Sequence, residues 1–164
     1  MKKLNTRMIT TIGVLIALEV ILSRFLSINI WSNKIGFAFV PCALSAVMLG
    51  VVPTVILELL ADLLGATLFP SGAFFPGFTL TAVLRGLTYG LLLGKNQTPA
   101  RILAVVLINN LVLGLGLNSL WISILYGSPF EALIVARLVQ CLILIPVEFV
   151  VITAIAKFGK RVAR

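Results

Sequence analysis

Apolar residues fall in long blocks along this chain, and the short breaks between them carry most of the turn-forming and charged side chains. A bilayer core about 30 Å thick needs roughly 20 apolar residues per helix, fewer where neighbours shield a short one. On that scale six spans are predicted, at residues 8–25, 37–49, 54–68, 78–93, 102–120 and 130–158. Residues 26–36 form an amphipathic linker with Trp31 and Lys34, and Gly50-Val51-Val52-Pro53 is a tight turn. The FPSGAFFPG stretch at 69–77 has two prolines and two glycines, so it cannot continue a helix and is read as an aromatic-rich loop. GKNQTP at 94–99 is a polar turn, and 121–129 is a short segment leading to the last span. That span is long enough to tilt or protrude, with a kink expected at Pro146. Neither an internal repeat nor a low-complexity tract interrupts the pattern.

Composition explains why the blocks are so long. Of the 164 residues 60% are hydrophobic and 11% charged, with a mean hydropathy of +1.18. A soluble domain has about a quarter of its residues charged, so this chain lacks a polar exterior. The expected fold is an all-α integral membrane protein: one domain over residues 1–164, built as a compact bundle of six transmembrane helices.

Charge orients the bundle. Nine of the thirteen cations, Lys2, Lys3, Arg7, Lys95, Arg101, Lys157, Lys160, Arg161 and Arg164, lie at the two termini and in the 4–5 turn. Six spans put these on one side, which the positive-inside bias makes cytoplasmic. The net charge of +8 therefore gives no basic stripe for nucleic acid. A basic start followed by an apolar run also suits a signal peptide, but no small-x-small cleavage site precedes Arg24, so a retained first helix is expected. The plasma membrane is the expected location.

Missing residues narrow the chemistry. With no histidine, a His-dependent triad or a His-rich metal site is excluded. Cys42 and Cys141 lie in apolar runs without CxxC spacing and read as buried thiols. There is no GxxxxGK[ST] phosphate loop and no nucleophile–base constellation, so neither an enzyme nor a complete pump is expected, and no cofactor or metal.

Ionisable groups inside a bilayer are costly unless paired or facing water, so each is a functional candidate. Away from the span ends they are Glu19, Arg24, Glu58, Asp62, Arg85, Arg137 and Glu148. Glu58 and Asp62, four apart, share a helix face. Asn110, Gly114 and Asn118 recur every fourth residue, with Asn109 beside them, and Gln140 lies near the face of Arg137. Asp62, Asn118 and Arg137 fall in the outer half on different helices, so they can converge on one cavity open to the outside. Internal pairing is the competing reading: Asp62 with Arg85 or Arg137, and structural pairing for Glu19 and Glu148. Arg24 and Lys34 at the outer edge suit either a snorkelling role or an anionic ligand. A planar, partly anionic ligand needs carboxylates or amides for its ring N–H groups, aromatics against its faces and cations for its tail. All three occur in the outer layer. On the first helix Gly13 and Ala17 continue a small-residue stripe with Thr6 and Thr10, which permits close helix approach either within the bundle or to a partner.

Six apolar helices in so short a chain, basic termini and the small stripe resemble the substrate-binding S components of energy-coupling factor (ECF) vitamin transporters. The likeness covers essentially the whole chain and is closest to the folate-specific S component. It rests on Arg24-Phe25-Leu26-Ser27-Ile28, Lys34-Ile35-Gly36-Phe37, Asp62-Leu63-Leu64-Gly65 and the run from Phe69 to Thr79. The family's stripe is commonly AxxxA; here it is Gly13-x-x-x-Ala17. The resemblance implies capture of folate outside the cell and delivery to a transmembrane coupling subunit with two ATPases, by toppling in the membrane. It assigns Arg24 and Lys34 to the glutamate-tail carboxylates, and Asp62 with Asn110 or Asn118 to the pterin. Phe37, Phe74, Phe75 and Trp121 would sandwich the ring or close a lid, and Arg137 would serve the tail or anchor Asp62. Riboflavin or thiamine as the ligand, and a ligand-free accessory subunit, are the rival readings.

Overall fold

The computed structural model describes residues 6–30, 33–70 and 72–162, with the backbone alone for 28–30, 33–35 and 159–162. Six helical rods alternate in direction. They are α1 (Thr6–Arg24), α2 (Phe39–Met48), α3 (Val51–Leu68), α4 (Pro76–Leu93), a continuous rod from Pro99 to Tyr126, and α7 (Phe130–Val162). The fifth rod consists of α5 (Pro99–Leu107), a π-helical segment (Ile108–Leu117) and α6 (Asn118–Tyr126).

α1, α3, the fifth rod and α7 are each long and apolar enough to cross a bilayer. The ten-residue α2 rises only about 15 Å and is buried through Phe39, Cys42, Ala43 and Ala46. Side-chain polarity is inverted relative to a soluble protein. Leu142 and Val135 are largely exposed, whereas Glu19, Glu58, Asn109, Asn110 and Glu148 are buried.

Two departures from the sequence reading go beyond a shift of a few residues at a helix end. Residues 26–36 are more than a linker: β1 (Ile28–Ile30) and β2 (Asn33–Ile35) form an antiparallel hairpin with Asn29 opposite Lys34. The segment at 121–129 is helical as far as Tyr126 and stops at Gly127, whose φ of +64° gives a left-handed cap. α7 runs unbroken through Pro146.

Where the packing is apolar it is tight, and it sits at the end that holds the termini. α2, α4, α5 and α7 meet there around Ala46, Leu93, Val105, Val106 and Ile152, while Ile12, Leu15 and Ile16 of α1 pack on Leu57 of α3. Glycine brings α3 and α4 together. A Cβ on Gly90 would lie 2.6 Å from Val51 Cα, and one on Gly86 would lie 2.9 Å from Val55 Cα. Without a hydrophobic force between helices in lipid, such close van der Waals approach is a principal source of cohesion.

Candidate functional site

At the end opposite the termini the rods separate around a cavity of about 290 Å³. Two helices carry the same spacing into it: Phe78, Ala82, Arg85 and Tyr89 on α4, and Arg137, Cys141, Leu144 and Glu148 on α7. Positions 0, 4, 7 and 11 form one face of an α-helix. Eleven residues at 1.5 Å each make the lined stretch about 16 Å deep.

Charge changes with depth. Arg24 and Ser27 at the end of α1, Asp62 near the end of α3, Asn118 and Arg137 line the outer part. Glu19, Arg85, Tyr89, Asn109 and Glu148 line the inner part. Arg24 lies across Gly65, where a Cβ would come 2.8 Å from its Nε. Asp62 Oδ2 accepts from Thr79 Oγ1 at 2.8 Å, and Arg137 Nη1 donates to the Gly114 carbonyl at 2.9 Å. Neither Arg85 nor Arg137 makes the Asp62 ion pair weighed from sequence. Arg85 Nε instead donates to Glu58 Oε2 at 2.8 Å, with the Glu58 side chain 0% exposed and that of Arg85 38% exposed, towards the cavity it lines.

The wall between these layers is the π-helical segment, and its own asparagines account for it. Asn109 Nδ2 donates to the Val105 carbonyl at 2.8 Å, and Asn110 Nδ2 to that of Val106 at 3.0 Å. Side chains at those carbonyls compete with the i−4 backbone bonds of an α-helix and favour a wider turn. The Asn118 N–H reaches the Leu113 carbonyl, one residue further back than in an α-helix. Gly114 O is thereby left for Arg137, and Asn110 O accepts from the Cys141 thiol at 3.4 Å. Asn110 Nδ2 also donates to Glu148 Oε2 at 2.8 Å, and Asn109 Nδ2 to Thr88 Oγ1 at 2.9 Å.

The cavity thus brings together five residues singled out from sequence: Arg24, Asp62, Asn110, Asn118 and Arg137. The Lys34 side chain and Trp31 lie outside the described residues. The expected aromatics are not on the lining, which uses Phe39, Phe78 and Tyr89. Phe37 and Phe74 are exposed. Phe75 packs between Phe78 and Trp121, with ring centroids 6.1 and 5.6 Å away, over Gly77, where a Cβ would touch both Phe75 and Trp121. Trp121 Nε1 donates to Thr81 Oγ1 at 3.0 Å. Sequence reasoning favoured structural pairing for Glu19 and Glu148 and left Arg85 open between pairing and the site; all three line the cavity. The shared 0, 4, 7, 11 spacing on α4 and α7 was the signal that could have found Arg85 and Glu148. On α1, Gly13 and Ala17 face away from the bundle, and nothing lies within 4 Å of a Cβ placed on Gly13.

Comparison with known proteins agrees with this architecture. The profile of the family described as "ECF transporter, substrate-specific component" matches residues 7–156. The folate transporter FolT of Clostridium novyi (strain NT) is 38% identical over 153 residues, 93% of this chain and 88% of that protein. FolT of Leuconostoc mesenteroides subsp. mesenteroides is 33% identical over 153 residues, 89% of this chain and 82% of the relative. A solved structure described as FolT bound with folic acid superposes with a TM-score of 0.88 at 33% identity, covering 94% of this chain and 98% of that one. This multi-pass membrane protein belongs to the family of substrate-specific components of ECF transporters.

Proposed function

We propose that the cavity binds folate, taken from outside the cell, and that the protein delivers it unchanged to a transmembrane coupling subunit driven by two ATPases. The observation that carries the reading is the likeness to a FolT structure bound with folic acid over nearly the full length of both chains. The slot is also suited to an elongated ligand: about 16 Å deep, with Arg24 and Arg137 in its outer part and a mixed-charge inner part. A folate has a flat ring at one end and two carboxylates at the other. Riboflavin and thiamine lack that paired anionic tail, and outer cations would serve neither of them.

Arg24 and Lys34 take the tail carboxylates in this reading, with Arg137 beside them. Asp62, with Asn110 or Asn118, takes N–H donors along the wall; Asn118 Oδ1 is buried with no hydrogen-bond partner among the described residues. Phe37 and Phe74 close over the bound ligand, and Phe75 and Trp121 brace Phe78. Residues 1–164 act as one domain, with both termini cytoplasmic and the Gly13–Ala17 face presented to the coupling subunit. The test is equilibrium binding of folic acid to the purified protein, in competition with 5-formyltetrahydrofolate, riboflavin and thiamine. Saturable binding displaced only by folates is expected. Displacement by riboflavin or thiamine, or no saturable binding, refutes the reading.

A further inference from the structure

Ala61 and Asp62 bring α3 into the cavity wall, and one turn further towards the mouth the same side of the helix carries Gly65, which is buried. The side chain of Arg24, itself on the cavity lining, lies over it. A Cβ on Gly65 would come 2.8 Å from Arg24 Nε, 2.9 Å from Nη2 and 3.3 Å from Cζ. All three atoms belong to the guanidinium, and heavy atoms in ordinary contact sit about 3.5–4.0 Å apart. The group therefore rests on bare α3 backbone, and any side chain at position 65 has to displace it.

What gives way at this glycine differs from what gives way at the others between helices. At Gly86 and Gly90 the nearest atom to an added Cβ is α3 backbone, so a methyl there pushes two helices apart. At Gly65 it meets the end of a flexible side chain. The helix ends beside this contact are also tied to each other. Phe25, next to Arg24, packs edge-on against Phe69 with ring centroids 5.2 Å apart, and the Phe69 N–H donates to the Gly65 carbonyl at 3.2 Å. With the helices held, the guanidinium is the part that moves. We infer that Gly65 is a positioning residue for ligand binding: lacking a side chain, it lets the Arg24 guanidinium lie in the wall of α3, at the place from which it meets the ligand's tail carboxylates. The inference rests on the reading of Arg24 as a tail-binding cation and adds to it the residue that sets the cation's position.

A structural role for Arg24 is the competing explanation. It is the basic residue in the last turn of α1, where a cation favours the helix whatever the ligand, and on that account its place over Gly65 has no bearing on binding. A cycle of ligand and protein changes separates the two roles. Folic acid and its diamide, in which both tail carboxylates are converted to neutral amides, are titrated into the full-length purified protein as wild type, Gly65→Ala, Arg24→Ala and the double variant. Unfolding of each protein is followed in the same detergent.

Loss of one charge-assisted contact corresponds to about 10- to 150-fold in affinity. Gly65→Ala should weaken folic acid binding by a factor in that range, no larger than the effect of Arg24→Ala, and should bind the diamide as the wild type does. It should unfold no earlier than wild type, since alanine is the better helix former. The double variant should bind folic acid as Arg24→Ala does, because the methyl then has no guanidinium to displace. Wild-type affinity for folic acid in Gly65→Ala, an equal loss for acid and diamide, or a further loss in the double variant overturns the inference while folate binding stands. A Gly65→Ala protein that fails to fold overturns it too, since the helices and not the guanidinium would then carry the clash. Equal affinity of the wild type for acid and diamide removes the tail role of Arg24 and this inference with it. Absence of folic acid binding to the wild type removes the proposed function as well.

Discussion

Removing Arg85 tests whether the Glu58–Arg85 pair holds the bundle together, lines the site, or does both. Glu58 is 0% exposed, and among the described residues it makes one ion pair, the 2.8 Å contact to Arg85 Nε. In Arg85→Met the carboxyl stays between α3 and α4 without its counter-charge. Breaking a buried pair from one side costs about 3–5 kcal/mol, because the remaining charge is uncompensated. The Arg85 side chain is 38% exposed, so solvent in the cavity already screens part of the attraction, and about 3 kcal/mol is the expected loss. The double variant Glu58→Met, Arg85→Met removes both charges. Replacing a buried pair by well-packed apolar groups is often neutral or stabilising. Methionine is the suitable replacement because it is unbranched, close to glutamate in length and able to fill an irregular space. Equilibrium unfolding in detergent should therefore rank wild type and double variant together, with the single variant about 3 kcal/mol below. Folic acid binding should be impaired in both variants, since both lack the guanidinium lining the cavity. The reasoning fails if Arg85→Met is as stable as wild type, or if the double variant recovers full ligand affinity.

Four further outcomes follow from the same geometry. Arg24→Ala should weaken folic acid binding by about 10- to 150-fold, the value of a lost charge-assisted contact; unchanged affinity removes Arg24 from the site. Gly13→Trp should abolish folate uptake in cells that contain the coupling module while sparing binding by the isolated protein, because position 13 faces outward into open space; normal uptake refutes the docking role. Gly90→Ala should cost about 1–3 kcal/mol of stability through overpacking, since its Cβ would meet Val51 backbone at 2.6 Å, and a wild-type unfolding curve would contradict the close α3–α4 approach. Cys141 lines the cavity and Cys42 does not, so a small thiol reagent should modify Cys141 first and folic acid should slow that reaction; ligand-independent labelling counts against the placement.

The six rods were legible because each block of apolar residues has to span or shelter within the same hydrocarbon thickness. The fifth span, expected to end at residue 120, runs on to Tyr126 and stops at Gly127. Trp121 belongs in the helix because its indole N–H reaches Thr81 on α4, a tertiary partner with no trace in local sequence. The hairpin was hidden for a related reason. Strands of three residues carry too little alternation to show a period, and their pairing depends on chain ends brought together by α1 and α2. In the site, the cost of polar groups inside a membrane drew attention to Arg24, Asp62, Asn110, Asn118 and Arg137, and all five line the cavity. The error lay in treating pairing and lining as alternatives. A guanidinium has five N–H donors, so Arg85 can bind Glu58 through Nε and still face the cavity.

Polarity along the bundle axis connects these observations. A cavity in a helical bundle requires that backbone and side-chain polar groups be satisfied without water from lipid. Here the apolar clusters occupy the end of the termini, where Ala46, Leu93 and Val106 allow the helices to close. At the other end the fifth rod widens into its π-helical segment, and two of its carbonyls are taken up by α7. Arg137 takes Gly114 O and the Cys141 thiol takes Asn110 O, both from the face of α7 that lines the site. The side chains that stabilise the irregular wall are therefore the same ones that meet the ligand space. A change on that face of α7 acts on the wall's geometry and on the site's chemistry together. Arg137 and Glu148 are accordingly poor positions for separating binding from stability, whereas Glu19, which holds no carbonyl of the π-helical wall, is a better one.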